Sequence, residues 1–580
     1  MKKFYVRHGR TPAAMQAVLS ILGYYRGILA PGTPDLAPIT EPGKELSQEL
    51  LDSIVQDGFD PSWKIKVKQL PQVQMRLRSK RGPNGQATIS ALTDINCLPD
   101  ELYNSIVALS KILRSEITAF TLNQLRTKAS LVPNAYHSRL AIKRELGGKD
   151  RVFAMVDYWT QTFLQPIHYG LGEILRKLPQ DCTFDQDKGI SSMKSWTLSD
   201  QEIHSIDLSS ASDRFPITLQ CKVMEKLTED SEFVSHWRNL LVNREFKYKT
   251  KFYKWAVGQP LGALSSWPSF ALSHHVLVRA AHKRVNAPLE YYLLGDDLVI
   301  RNPVVAQVYR TLLGELGITT SDKKGLIGNS CEFAKRLIHA GCEVSPVPVS
   351  MIQASTSDIM LLAEMVSKIQ SRSSDQATDL RVPSFVDAWC NATKHSRELV
   401  QILSTYPVPQ MRKWFNGKSD LSFEEDLVTH WAGLQVPMEQ VRLAYNLVRT
   451  RILLNVISGM LSRSRKDLLI VNTLELPSTP SSVRRVHPIY MAHGLHTEEY
   501  EEARQEIRAF FTDREVAGDM KGGSVDSGML CPSVKLTSVT DLAKGSKKFS
   551  RHKGTVVLEI FSLLKEEKSL KLTRAHYPKR

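Results

Sequence analysis

Cysteine is scarce: the 580 residues hold seven, at positions 97, 182, 221, 331, 342, 390 and 531. Their number is odd, their spacing is scattered and no C-x-x-C pair occurs. This argues against a disulfide framework or a cysteine-ligated zinc site and points to a reducing compartment. Long apolar runs are missing as well; none approaches the roughly 20 residues that span a bilayer. The longest candidate, Val441–Leu461, carries Arg442, Arg449 and Arg451 and reads as an amphipathic helix. The first 34 residues lack acid but hold Lys2, Lys3, Arg7, Arg10 and Arg26. That fits either a transit-peptide bias without its usual serines or a basic N-terminal arm. No internal repeat occurs.

What the chain has in excess is positive charge, a formal +16 at a pI of about 9.3. A basic protein of this size calls for a polyanionic partner, and nucleic acid is the first candidate. Hydrophobic content of 42% with 23% charged residues is globular and excludes a disordered or fibrous chain. A chain this long implies two or more domains.

The stretch Tyr291–Asn302 reads YYLLGDDLVIRN. Two short apolar runs around Gly295-Asp296-Asp297 predict two buried strands joined by a tight turn. Adjacent carboxylates at such a tip repel one another, and a divalent cation with a taste for hard oxygen ligands relieves that. A solvated Asp-Gly turn is the plainer alternative. Upstream, SIDLSSASDRFP at Ser205–Pro216 places Asp207 on a short strand. An acid on a strand beside a hairpin holding two more is what two-metal phosphoryl transfer requires.

Other stretches carry weaker signals. Tyr136–Gln161 gathers Arg139, Lys143, Arg144, Lys149 and Arg151 around Gly147-Gly148. Two basic strands joined by that turn could surround a triphosphate, or form an exposed basic hairpin. Asp157–Leu178 then predicts a helix. Residues 217–255 predict helices ending in REFKYKTKFYKW at Arg244–Trp255, which suits a one-sided charged strand or a surface that stacks bases and binds phosphates. VGQPLGALSSWPSFALSHH at Val257–His275 predicts a glycine loop, a serine pair and a helix. Its His274 and His275 read as packed helix residues, because no carboxylate or cysteine shares a metal-ligand spacing with them. Lys64–Arg81 is basic and alternates with apolar residues, as in an edge strand. Val304–Leu316 predicts an amphipathic helix, and Gly317–Gly325 a strand followed by a lysine-bearing turn. The stretch at 514–554, rich in Gly, Ser and Lys, reads as a mobile segment with a basic patch at Gly545–Gly554.

In order, the basic cluster, D-x5-D, G-x-P-x-G-x-x-S-S, GDD, a lysine turn and EFAKR resemble motifs F, A, B, C, D and E of viral RNA-dependent RNA polymerases. The wording VDYWTQ, LPQDCTFDQ, DLSSASDRFP, LLGDDLVI and EFAKR is similar to that of the mitovirus polymerases, with narnavirus and ourmia-like enzymes as the alternative. The resemblance covers about residues 130–350. It implies an α/β (α+β) right-hand polymerase with palm, fingers and thumb, helix-rich outside the palm. It implies RNA-directed RNA synthesis from rNTPs, replicating a positive-strand viral genome, with two Mg²⁺ or Mn²⁺ ions. Carried over, Asp207 and Asp296 would ligate the metals with Asp297 assisting, and Lys323 or Lys324 would be the general acid. Lys149 and Arg151 would lie near the triphosphate, Ser212 and Asp213 near the ribose, and Gly262, Ser265 and Ser266 in the motif B loop. One departure is plain. The asparagine that many viral polymerases place in motif B is replaced by Phe270, four positions after Ser266.

The implied division is 1–130 as an N-terminal extension with part of the fingers and 131–200 as fingers with motif F. Residues 201–345 would be palm with a fingers insertion at about 217–255. Residues 346–580 would be thumb and C-terminal extension with a mobile basic tail. Implied partners are RNA template and product, rNTPs and the viral genomic RNA as ribonucleoprotein, without a membrane span. The implied location is the host mitochondrion, or the host cytoplasm on the alternative. A reverse transcriptase, or a non-catalytic RNA-binding protein of polymerase fold, remains open.

Overall fold

The computed structural model describes residues 11–347, apart from 28–29, 74, 76–77, 79, 116, 129–133, 146 and 322–324, and beyond them positions 351, 365 and 391. The basic residues up to Arg10, the helix expected at Val441–Leu461, and the thumb and tail expected from 346 onward therefore lie outside the described residues, except at those few positions. So do Lys323 and Lys324. The elements named below fall in the compact unit that includes Met1–Pro346.

Up to Lys128 the described chain is chiefly helical, with helices at Pro12–Leu22, Ala37–Thr40, Gln48–Gly58, Ala91–Asn96, Asp100–Ile112 and Ala119–Lys128. Then follow β1 (Ser138–Glu145), β2 (Lys149–Val156) and α1 (Tyr158–Lys177). Next are β3 (Ile203–Asp207), α2 (Ile217–Thr228), α3 (Ser231–Val242), β4 (Phe246–Tyr248) and β5 (Lys251–Tyr253). The chain continues through α4 (Ser266–Val285), β6 (Tyr291–Leu294), β7 (Asp297–Ile300) and α5 (Pro303–Glu315). Four short strands close this part: β8 (Leu326–Gly328), β9 (Ser330–Phe333), β10 (Arg336–His339) and β11 (Cys342–Glu343).

Three sheets matter here. The central one has the order β8-β3-β7-β6 and is antiparallel throughout. A second has the order β2-β1-β4-β5, with β1 and β4 parallel. The third is the β9-β10-β11 meander.

Helix α4 is the spine of the core. Fifteen of its twenty residues are buried, and a helix apolar or small on all sides must be surrounded. The helix Gln48–Gly58 and α1, α2 and α5 pack around it. The closest approach is at Gly58, where a Cβ would fall 1.8 Å from the Val276 carbonyl oxygen. Helix α4 ends on Asn286 in the left-handed conformation, with Lys283 and Arg284 in its last turn facing the negative end of the helix dipole. Helix α1 begins where Asp157 accepts the Thr160 backbone N–H at 2.8 Å, an N-cap of the usual kind. That carboxylate also meets Arg244, which precedes β4, at 3.0 Å, and both side chains are fully buried.

Two expected strands are corrected. In Lys64–Lys68 the side chains do alternate, with Trp63, Ile65 and Val67 buried and the three lysines exposed. Among the described residues no strand pairs with Lys64–Lys68, however; Ile65 N–H donates to the Leu227 carbonyl at the end of α2, and Val67–Gln69 coils into a 3-10 turn, while at the far end of the basic stretch Arg81–Gly82 does pair with Gly85–Gln86. In Gly317–Gly325 no strand forms among the described residues; Thr320 makes a single bridge to Leu208.

Candidate active site

Strands β6 and β7 form a hairpin whose register pairs Leu294 with Asp297, leaving Gly295-Asp296 as a two-residue turn. Gly295 has φ 62 and Asp296 is not left-handed, the φ pattern of a type II′ turn with glycine first. A side chain at 295 is excluded a second time: its Cβ would lie 2.0 Å from the Trp267 ring. Strand β3 joins the other side of β7, with Asp207 directly opposite Asp297. Residues so paired have Cβ atoms roughly 4.5–5.5 Å apart on the same face of a sheet. Asp207, Asp296 and Asp297 thus meet at one end of the central sheet, and all three are half-buried.

After β3 comes a one-turn helix, Ala211–Arg214, that carries Ser212 and Asp213, and the glycine loop before α4 lies on it. Gly258 N–H donates to the Asp213 carbonyl at 3.0 Å and Gln259 N–H to the Ser212 carbonyl at 2.9 Å. A Cβ on Gly258 would be 2.2 Å from the Ser212 oxygen, so only glycine permits this approach. The Asp213 carboxylate accepts the Trp255 indole N–H at 2.9 Å. Burial pushes its pKa up to about 6, against the lowering effect of Trp255 and Arg214.

Gly262 (φ 122) turns the same loop toward β2. A Cβ there would be 2.3 Å from the Ala154 carbonyl oxygen, and Ala154 N–H donates to the Leu261 carbonyl at 2.6 Å. Gln161 of α1 brackets the turn, donating to the Gly262 carbonyl at 2.9 Å and accepting from Leu264 N–H at 2.8 Å. Gly262 therefore serves first to let the loop reach the basic hairpin. Ser265 is buried in the left-handed conformation (φ 66), and its Oγ accepts the Trp237 indole N–H at 2.9 Å. Ser266 opens α4 and is buried.

The β2-β1-β4-β5 sheet has two unlike faces. Ser138, Leu140, Ala154, Val156 and Phe246 are buried on one. The pairings Arg139↔Met155, Lys143↔Arg151, Glu145↔Lys149, Arg139↔Lys247 and Lys247↔Phe252 put five cations and one acid on the other. Arg151 pairs with Glu145 at 2.8 Å. Tyr136 lies beneath this group, with the Lys247 ammonium 3.6 Å and the Arg139 guanidinium 5.0 Å from its ring centroid. Phe252 is 53% exposed, its ring 6.1 Å from that of Tyr136.

Sequence reasoning missed the groups that hold the site in place. Trp255, Gln161 and Trp237 touch its loops from 42, 101 and 28 positions away, separations that no local pattern reveals. His274 and His275 are buried helix residues, as their spacing suggested.

Among the described residues no group of three His, Cys, Asp or Glu side chains forms a metal cage. Mg²⁺ seldom uses one: it is held by one or two carboxylates together with substrate phosphates and water. The carboxylates at the β3–β7 end supply the hard oxygen donors that fit it.

Carboxylates thus stand at the hairpin turn of an antiparallel sheet, flanked by a glycine–serine loop and a basic hairpin. The family described as Mitovirus RNA-dependent RNA polymerase matches residues 68–468, and this chain belongs to that family. Its fold mixes helix and sheet, and the family as a whole depends on divalent metal. The RNA-directed RNA polymerase of Cryphonectria parasitica mitovirus 1 is 29% identical over 345 residues, 55% of this chain and 42% of that protein. The chain thus spans less than half of that relative. An uncharacterized mitochondrial protein of Arabidopsis thaliana is 38% identical over 167 residues, 26% of this chain and 78% of that one. A crystal structure of the RNA-dependent RNA polymerase of a human picorbirnavirus is a distant likeness. Its TM-score is 0.43 at 12% identity, covering 74% of this chain and 88% of that one. No helix among the described residues is long and apolar enough to cross a membrane.

Proposed function

We infer that this chain is an RNA-directed RNA polymerase, in which a primer 3′-hydroxyl attacks the α-phosphate of an rNTP and pyrophosphate leaves. The observation that carries the reading is the pairing of Asp207 with Asp297 beside the Gly295-Asp296 turn. Asp207 and Asp296, with Asp297 assisting, would hold two Mg²⁺ or Mn²⁺ ions, which when bound lower the hydroxyl pKa and stabilise the leaving oxygens. Lys149 and Arg151 bind the triphosphate from the cationic face of β2. Ser212 and Asp213 face the ribose, and the loop from Gly262 to Ser266 orients the nucleotide. Lys323 or Lys324 donates a proton to the departing pyrophosphate.

On this reading residues 201–345 are palm, with fingers at 131–200 and in the 217–255 insertion. Residues 1–130 extend the fingers, and 346–580 form thumb and tail. The partners are template and product RNA and the viral genome as ribonucleoprotein. The site of action is the host mitochondrion, in keeping with relatives named as mitochondrial proteins.

The test is primer extension on an RNA template with rNTPs and dNTPs supplied separately. Extension with rNTPs supports the reading. Efficient extension with dNTPs alone would replace it with reverse transcription, and RNA binding without extension would make the chain a non-catalytic RNA-binding protein.

A further inference from the structure

Helix α4 carries two adjacent histidines, both fully buried, and each reaches the β6–β7 hairpin. His274 Nδ1 lies 2.7 Å from the Gly295 carbonyl oxygen, and its Nε2 lies 2.7 Å from the Tyr309 hydroxyl on α5. A carbonyl can only accept, so Nδ1 carries the proton and donates, while Nε2 accepts from the Tyr309 O–H. His275 Nε2 lies 3.0 Å from Asp181 Oδ2, and its Nδ1 lies 2.9 Å from the Tyr291 hydroxyl. By the same logic Nε2–H donates to the carboxylate and Nδ1 accepts from Tyr291.

The two bonds seize opposite ends of one strand. Tyr291 begins β6, and Gly295 follows its last residue and opens the turn that holds Asp296. The outer edge of β6 is tied to the segment of Asp181 as well: Leu293 N–H donates to the Gln180 carbonyl at 3.0 Å, and Cys182 N–H to the Leu293 carbonyl at 2.9 Å. The same helix starts at the buried Ser265–Ser266 corner of the nucleotide loop. Ser265 to His274 spans nine residues, roughly 13 Å of helix at 1.5 Å each.

We propose that His274 and His275 are positioning residues that fix the Gly295-Asp296 turn to helix α4, so that one rigid helix sets the acids of the turn against the nucleotide loop. The proposal rests on the reading of that turn as the metal-binding one. A backbone amide next to a ligand has little freedom once its carbonyl is held, and partners that orient metal ligands usually matter 10–100-fold to metal affinity or activity. Burial keeps His274 neutral, its pKa pushed down to about 3, so the donor–acceptor order stays the same across the working pH range.

The experiment exploits the two positions of the imidazole nitrogens. In His274→Asn the amide N–H stands where Nδ1 stood and can still bond Gly295, losing Tyr309. In His274→Gln the amide reaches toward Tyr309 and leaves the Gly295 carbonyl unbonded. Mn²⁺ binding to the RNA-free full chain, followed by electron paramagnetic resonance, is the first readout; kcat and KM for rNTP are the second. We expect His274→Gln to weaken Mn²⁺ binding and lower kcat by about 10–100-fold with KM little changed. His274→Asn should stay within about threefold of the wild type in both readouts. Tyr309→Phe, which removes the same bond that His274→Asn loses, should also stay within about threefold; His274→Leu, which fills the space without either bond, should show the loss and covers the case in which His274→Gln does not fold. Equal losses in the Asn and Gln variants, or unchanged Mn²⁺ affinity in His274→Gln and His274→Leu, overturn the proposal. Asp207→Asn serves as the control. If it too leaves Mn²⁺ binding and extension intact, the metal-site reading itself is wrong; if only Asp207→Asn is damaged, the histidine proposal alone fails.

Discussion

Asp207, the last residue of β3, stands directly opposite Asp297, the first residue of β7. Two carboxylates so placed repel across the sheet, and the arrangement makes chemical sense around cations. We predict that Asp207→Asn lowers nucleotide incorporation by at least about 10³-fold, since losing a metal ligand removes several kcal/mol of transition-state stabilisation. RNA affinity should barely change, because it comes mainly from lysine and arginine. Single-nucleotide extension and filter binding on the same preparation decide it. A variant that extends at near the wild-type rate removes Asp207 from the site.

The buried Arg244–Asp157 pair makes a stability prediction. Arg244 also donates to Thr160 Oγ1 at 2.7 Å and to Ser138 Oγ at 3.1 Å, and so joins β1, α1 and the start of the β4–β5 hairpin. Breaking such a pair by removing one partner typically costs about 3–5 kcal/mol, because the other charge is left buried and unpaired. Arg244→Met should therefore lower the urea midpoint sharply. Replacing both, as Arg244→Met with Asp157→Asn, should recover part of the loss. A single variant as stable as the wild type would show that the pair is not closed in solution.

A third prediction concerns Asp94, whose carboxylate accepts the Tyr158 N–H at 2.9 Å and the Asn84 amide at 2.8 Å. Burial first, and then the charge of Asp157, push its pKa up to about 7. The sign follows directly. The folded state holds this proton between about pH 4 and 7, where the unfolded chain has lost it, so the contribution is full at low pH and is lost as pH rises through 7. The difference in urea midpoint between wild type and Asp94→Asn should shrink or reverse between pH 5 and pH 8. A difference independent of pH would mean that Asp94 is ionised throughout.

How far the sequence could be read depends on which interactions are local. The YYLLGDDLVI hairpin was legible because its strands and turn lie within ten residues and glycine has to stand where φ is positive. The basic hairpin of β1 and β2, and the helix α1, were legible for the same reason. At Lys64–Lys68 the alternation reported correctly that one side is buried, but side-chain period says nothing about a neighbouring strand, and none pairs there among the described residues. The parallel pairing of β1 with β4 and the bonds from Asp181 to His275 and Trp255 to Asp213 join residues 42 to 108 positions apart. Such contacts exist only once the core around α4 has formed. The acids of the candidate site were therefore visible in advance, while the distant side chains bonded to its turn and loops were not.

The outer face of the β2-β1-β4-β5 sheet predicts how RNA affinity responds to salt. Lys143→Ala should lower the log–log slope for a single-stranded RNA by about 0.7, the value expected for one lost phosphate contact. Phe252→Ala should instead leave the slope unchanged and weaken binding by about 1–3 kcal/mol, the usual worth of one stacked base. Fluorescence anisotropy across a salt series separates the two. If Phe252→Ala binds as tightly as the wild type, the exposed ring is not a stacking platform.

The last prediction concerns the sugar. Reverse transcriptases generally place a bulky aromatic five residues after the first motif A aspartate, where it blocks a ribose 2′-hydroxyl; here that position is Ser212, small and half-buried. The next residue, Asp213, is anchored by Trp255 and offers a carboxylate able to accept a hydrogen bond, directly or through a neighbour. A pocket built to bond a hydroxyl disfavours the analogue that lacks it, by as much as ~10⁴–10⁵ when the buried group is left unpaired. We therefore expect strong preference for rNTPs, and expect Asp213→Ala to lose rNTP efficiency more than dNTP efficiency. Ser212→Tyr should exclude rNTPs on steric grounds. The raised pKa adds a signature that a passive role would lack. Asp213 is ionised above about pH 6 and protonates below it, so the rNTP preference should decline as pH falls through 6 in the wild type and stay flat in Asp213→Asn. Competition between ATP and dATP at pH 5.5 and pH 7.5 measures this. Equal incorporation of the two by the wild-type chain at pH 7.5 would sink the ribose argument and reopen the case for reverse transcription.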